Sequence, residues 1–187
     1  MRLLYLVRHA SPAIQPNTPA AEWQLSERGI EEARELGVTA ASWGLSALYS
    51  SAESKAQATA LLLGEATGQA VRVVDGFEEL RFDHWIGNSE EFAEAVRSIV
   101  EHPGMSFRGA ERAEAAATRF ERGLSIVEQE QFPAAIVSHG RVLTAWLARR
   151  LALEDPFALW RSMPMAGWAS IDLDSRPSAL IRGFEGG

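Results

Sequence analysis

Leu3-Leu4-Tyr5-Leu6-Val7 runs into Arg8-His9-Ala10, an apolar stretch that stops abruptly on a guanidinium and an imidazole. Such a run, closed by a polar cluster, suits a buried strand of a parallel sheet. The pattern recurs downstream. Ala47-Leu48-Tyr49-Ser50 reads as a second short strand, Val71-Arg72-Val73-Val74 as a third stopped by Asp75-Gly76, and Ala134-Ala135-Ile136-Val137 as a fourth that meets Ser138-His139-Gly140. Helical spacing lies between them. Ser26 is a candidate N-cap for a helix carrying Ile30, Ala33, Leu36 and Gly37, and Ser51 and Ser54 are candidate caps for one carrying Ala56, Ala60 and Leu63. Residues 90–100, 110–129 and 140–151 also predict helices; the charges of 110–129 read as a solvated face. Residues 11–21 hold three prolines and predict an irregular loop, while 168–173 and 179–181 predict a closing strand pair around Ser175-Arg176-Pro177. Alternating strands and helices imply an α/β fold with a mainly parallel sheet, as one domain over residues 1–187.

Composition narrows the chemistry. The 187 residues are 47% hydrophobic and 23% charged, enough for a full core. Cysteine is absent, which removes disulfides, thiolate nucleophiles and cysteine metal sites, and suits a reducing, cytoplasmic setting. His9, His84, His102 and His139 form no close metal-ligand pair, so no metal is expected. A net charge of −7 argues against nucleic acid as a partner. The longest apolar run is too short to span a bilayer, and Arg8 cuts the N-terminal run without a cleavage site, so neither a membrane partner nor a secretory signal is expected.

Polar residues gather where the strands end: Arg8-His9 after the first, Ser50-Ser51 and Lys55 after the second, Glu79 soon after the third, Ser138-His139-Gly140 after the fourth. In an open parallel sheet the carboxyl ends share one edge, and ligands bind there. The helix start between Ser51 and Lys55 adds free backbone N–H groups and a positive dipole end. Two imidazoles, two cations and a carboxylate around an anion seat point to phosphate.

These segments carry a resemblance. Leu6-Val7-Arg8-His9-Ala10 is similar to the Arg-His-Gly signature of the histidine phosphatase (phosphoglycerate mutase-like) superfamily. Four further landmarks follow in the family's order: Leu25-Ser26-Glu27-Arg28-Gly29; the stretch from Ser50-Ser51 through Lys55-Ala56-Gln57-Ala58-Thr59-Ala60; Phe77-Glu78-Glu79-Leu80 with Trp85-Ile86-Gly87; and Val137-Ser138-His139-Gly140. The resemblance implies a three-layer α/β/α sandwich of the phosphoglycerate mutase type, with residues 77–130 contributing a cap over the site. It implies a metal-independent phosphoric monoester hydrolase without cofactor. His9 would take the phosphoryl group. Arg8, His139, Lys55, Ser51 and Gly140 would bind its oxygens. Glu79 would protonate the leaving alcohol and then activate water.

Elementary chemistry agrees with those roles. A neutral imidazole is a competent nucleophile near neutral pH, and a phosphohistidine splits one hard displacement into two easier ones. Charge on the equatorial oxygens calls for Arg, Lys and protonated His, and an alkoxide leaving group calls for an acid. A Glu starts near ~4.3, and a phosphate dianion beside it raises that value.

The chain departs from the family at four places. Lys55, the single lysine among 18 basic residues, stands where Arg is usual, and offers one compact charge rather than a fork. Glu53 stands at a usually apolar position and brings negative charge toward the anion seat. Ala10 replaces Gly and fits if its φ is negative. Arg141 adds charge at the rim. Two alternatives stay open: a catalytically weak phosphate-ligand binder of the same fold, and a phosphoglycerate mutase-type phosphotransferase, disfavoured by the lack of a long C-terminal tail to shield the intermediate. A serine hydrolase through Ser138 or Ser51 is remote, since the G-x-S-x-G elbow is missing. The expected partner is a small phosphorylated substrate or a phosphoprotein. His84, Trp23, Trp85 and Trp160 are candidate residues near the mouth of the crevice, although aromatics usually just pack.

Overall fold

The computed structural model describes residues 1–82, 86–175 and 178–186. His84, Trp85 and the turn at Arg176-Pro177 lie outside them. Four strands, β1 (Leu3–Arg8), β2 (Ala47–Ser50), β3 (Val71–Val73) and β4 (Ala134–Ser138), run parallel, and β5 (Trp168–Asp172) and β6 (Leu180–Glu185) complete the sheet antiparallel, in the order β3-β2-β4-β1-β5-β6. β1 and β4 sit at the centre, which is why both read as unbroken apolar runs: their side chains face helices on either side.

The helices are α1 (Glu27–Ala40), α2 (Ser54–Thr67), α3 (Ser89–Glu101), α4 (Ala113–Val127), α5 (Gly140–Leu151) and α6 (Pro156–Ser162). On one face of the sheet α1 and α2 pack Ala33, Leu36, Ala56, Ala60 and Leu63 against Tyr5, Val7, Leu48 and Val137. On the other, α4 and α5 pack Phe120, Leu124, Leu143 and Trp146 against Leu4, Leu6, Tyr49 and Ile136. This is the three-layer sandwich.

Ser26 caps α1 as its position predicts, its Oγ accepting from Gly29 N at 3.0 Å. The caps expected for α2 differ. Glu53 is the N-cap residue without using its side chain for the cap, Ser51 Oγ accepts from Glu53 N at 3.1 Å, and Ser54 is the first helical residue. The seven residues of α6 carry too short a period to stand out in the sequence; the helix starts on Asp155, whose side chain accepts from Ala158 N, with Pro156 in the first turn. Among the described residues no helix is long and apolar enough to cross a membrane.

Candidate active site

Strand register brings the two imidazoles together. Arg8 pairs with Ser138 across the parallel β1–β4 ladder, and His9 N donates to Ser138 O at 2.9 Å. His9 and His139 each follow those residues, so the strand spacing of about 4.8 Å carries over to the rings. Their centroids lie 5.1 Å apart at 59°. β2 lies on the other side of β4, and Ser51 N donates to Val137 O at 3.0 Å. Ser51 Oγ thereby reaches His139 Nε2 at 2.8 Å.

His9 is buried, and its Nδ1 lies 2.8 Å from the carbonyl of Ala10. A carbonyl only accepts, so Nδ1 carries the proton and Nε2 the lone pair. Burial, then the neighbouring His139, push the His9 pKa well below its usual value, and the ring stays neutral. Ala10 keeps a negative φ, so the replacement of Gly brings no strain. His139 is wholly buried; desolvation foremost, opposed by Glu79 and supported by Lys55, lowers its pKa to about 3. His139 Nδ1 and Arg8 Nε are buried without a hydrogen-bond partner among the described residues. Arg8 Nη1 donates to Met163 O at 2.5 Å. Gly140 has a steric reason: a Cβ there would stand 3.2 Å from Arg8 Nε and 3.3 Å from its Cζ.

Glu79 arrives from the loop after β3. Its carboxylate sits on the first turn of α5, accepting from Val142 N at 2.9 Å and Arg141 N at 3.3 Å, with Arg141 Nε 3.3 Å away. Burial raises its pKa, but Arg141, His139 and the amides of Leu80 and Val142 outweigh that and hold it at about 2. The loop itself is clamped. Ser138 Oγ donates to Phe77 O at 2.7 Å, and Arg119 of α4 donates to the carbonyls of Gly76, Glu78 and Glu79 while pairing with Glu78 and Glu111. Arg119 corrects the reading of 110–129 as a purely solvated face. It sits one turn from Ala116 and Gly123 on the border of the apolar stripe, a signal that was available.

Lys55 and Glu53 are the larger surprise. Both are buried; Lys55 Nζ donates to Glu53 Oε2 at 2.5 Å and to Ala20 O at 2.6 Å. The other Glu53 oxygen accepts from Glu79 N at 2.7 Å and lies 3.7 Å from His139 Nε2. Lys55, whose charge acts on both imidazoles, is thus already partnered. Glu53 also walls a cavity of about 350 Å³ lined by Ala21, Ala52, Glu53, Glu78, Glu79, Arg81 and Arg119. Trp23 lies on the loop before α1, donating to Gln15 O and Thr18 O, and Trp160 packs with Phe92 and Phe157 while its Nε1 approaches Gly140. No group of three or more His, Cys, Asp or Glu among the described residues is arranged to hold a metal ion.

A family model described as the histidine phosphatase superfamily (branch 1) matches residues 4–182. No curated protein matches the sequence. Among solved structures, mycobacterial glucosyl-3-phosphoglycerate phosphatase in complex with inorganic phosphate is 22% identical, with a TM-score of 0.81 over 100% of this chain and 98% of that one. A phosphoserine phosphatase variant from Entamoeba histolytica in complex with phosphoserine is 19% identical, with a TM-score of 0.74 over 98% and 96%. A putative alpha-ribazole-5'-P phosphatase from Escherichia coli is 22% identical, with a TM-score of 0.73 over 99% and 98%.

Proposed function

This chain belongs to the histidine phosphatase superfamily, branch 1, and from that membership we propose that it hydrolyses a phosphomonoester through a phosphohistidine on His9. The observation that carries the reading is the buried, neutral imidazole pair with His9 Nε2 left as a lone pair. In the first step the His9 Nε2–P bond forms as the P–O bond to the alcohol breaks, and Glu79 gives that oxygen its proton. In the second, water attacks phosphorus, Glu79 takes a water proton, and the N–P bond breaks to release inorganic phosphate. Arg8 and His139 stabilise the equatorial oxygens, with Lys55, Ser51 and Gly140 completing the seat; the buried, unpartnered Arg8 Nε and His139 Nδ1 support this.

Glu79 by itself is ionised near neutral pH, since its pKa is about 2. Its acid role follows from ligand charge: a phosphoryl group arriving as the monoanion brings the proton, and settles as the dianion beside a protonated Glu79. The reaction proceeds without metal. α4 packs on the sheet as a layer of the sandwich, so of the expected cap over 77–130 only the part before α4 serves as one, and the alcohol moiety of a small phosphorylated substrate or a phosphoprotein occupies the cavity beside it. An acidic, cysteine-free chain supports work in the cytoplasm.

The test is turnover of p-nitrophenyl phosphate in EDTA. We expect activity that His9→Ala abolishes, with an acid-labile phosphoenzyme in the wild type; unchanged rates in His9→Ala overturn the mechanism. The engagement of Lys55 by Glu53 favours a second reading, a phosphate-ligand binder with little turnover. Its mark is phosphate binding without any phosphoenzyme.

A further inference from the structure

The Glu53–Lys55 pair is closed upon itself. Each side chain is less than one-tenth exposed, and the ammonium meets the carboxylate and a backbone carbonyl. The pair is also inside the site: Glu53 walls the cavity beside Glu79, holds the Glu79 amide, and stands 3.7 Å from His139 Nε2. Arg141 is spent on Glu79, and Arg81 and Arg119 on the cavity wall pair with Glu111 and Glu78. Arg8 is therefore the seat's one cation without an ion-paired carboxylate among the described residues, although the Glu79 charge still acts on it. Removing one member of a buried ion pair leaves an uncompensated charge at a high cost, which a bound anion recovers.

We propose that Glu53 is a resident counter-anion that sets how tightly this site holds a tetrahedral oxyanion. By neutralising Lys55 it keeps the grip on inorganic phosphate weak, so the hydrolysis product leaves readily. Substrates are then told apart by the moiety that fills the cavity rather than by the phosphoryl group. The inference rests on the phosphomonoesterase reading for the place of the phosphoryl group beside His9 and His139.

The experiment measures binding of inorganic phosphate and of vanadate by calorimetry, with Tm in buffers with and without phosphate. It compares wild type, Glu53→Gln, Lys55→Gln and the double variant. A hydrogen bond to a charged group is worth about 1.5–3 kcal/mol, so Glu53→Gln is expected to bind phosphate about tenfold tighter or more. Its Tm should fall without phosphate and recover with it by more than the wild type gains. Lys55→Gln should bind more weakly than wild type, and the double variant should lose the gain. Phosphate affinity in Glu53→Gln at or below the wild-type level overturns the inference, and so does a gain that survives in the double variant. Should Glu53→Gln fail to fold, Glu53→Asp keeps the charge but shortens its reach; it is expected to tighten phosphate by a smaller factor, and no tightening overturns the idea. A wild type that never forms a phosphoenzyme sinks the hydrolase reading separately, because these measurements report affinity and not turnover.

Discussion

Two strand-to-helix corners flank the imidazoles, and each sets a carboxylate against a cation. At the β4–α5 corner the carboxylate is imported: Glu79 comes from the loop after β3 and rests on the amides of Arg141 and Val142. At the β2–α2 corner it is built in: Glu53 precedes the helix, and Lys55 lies two residues on. The imported carboxylate is held by a helix terminus, where a change of local charge shifts its proton. The built-in one is locked to a cation of its own corner. In the proposed mechanism similar charges serve opposite ends: one corner takes up and gives back a proton, the other cancels an attraction.

The most damaging change to that contrast is Glu79→Gln. With an alkyl phosphate, whose leaving group needs a proton, kcat should fall on the order of 10²–10⁴, and with p-nitrophenyl phosphate far less. Equal losses with both substrates would remove Glu79 from the acid role. Next is Gly140→Ala, whose Cβ pushes the Arg8 guanidinium by a few tenths of an ångström. Weakening that charge-assisted contact should loosen phosphate binding by up to about tenfold, read by calorimetry. An unaffected Kd means the β4–α5 corner has room to spare.

Ser51 ties the corners together, accepting from Glu53 N and meeting His139 Nε2. Ser51→Ala strands buried polar atoms and should cost about 1–3 kcal/mol in denaturant unfolding; a neutral result would uncouple the two sides. Acid stability sharpens the comparison further. His139 has a folded pKa of about 3 against 6.5, so below about pH 6.5 the unfolded chain takes a proton that the folded chain refuses. Glu79, at about 2 against 4.5, acts in the same sense lower down. Tm should drop steadily from pH 6.5 to 4, and His139→Asn should flatten the upper part of that curve. The smallest expected effect is in Arg141→Gln, where the Glu79 carboxyl, followed by NMR, titrates above its present value of about 2.

Much of this was legible in the residues. The parallel strands announced themselves as apolar runs stopped by polar clusters, and those stops located Arg8, His9, Ser51 and His139 because strand ends share an edge. Glu79 was placed by its distance from the third strand. What escaped were partnerships made across the fold. Glu53 and Lys55 read as a disturbance of the anion seat, but their mutual bond and the Ala20 carbonyl depend on how the proline-bearing loop lies over α2. Arg119 and Glu111 looked solvated because charge alone does not reveal a backbone waiting to be clamped. α6 is too short for periodicity to reveal.

That proline-bearing loop is moored at both ends. Ser11 gives its N–H and hydroxyl to Glu32 and takes two bonds from Ser26, while Gly29 lies so close that a Cβ would fall 2.0 Å from the Ser11 carbonyl. Farther along, Ala20 delivers its oxygen to the lone lysine. The number of residues between these moorings is therefore metered: inserting even one would shift an oxygen atom at the far end and retune the charge beside the imidazoles without altering a single side chain there.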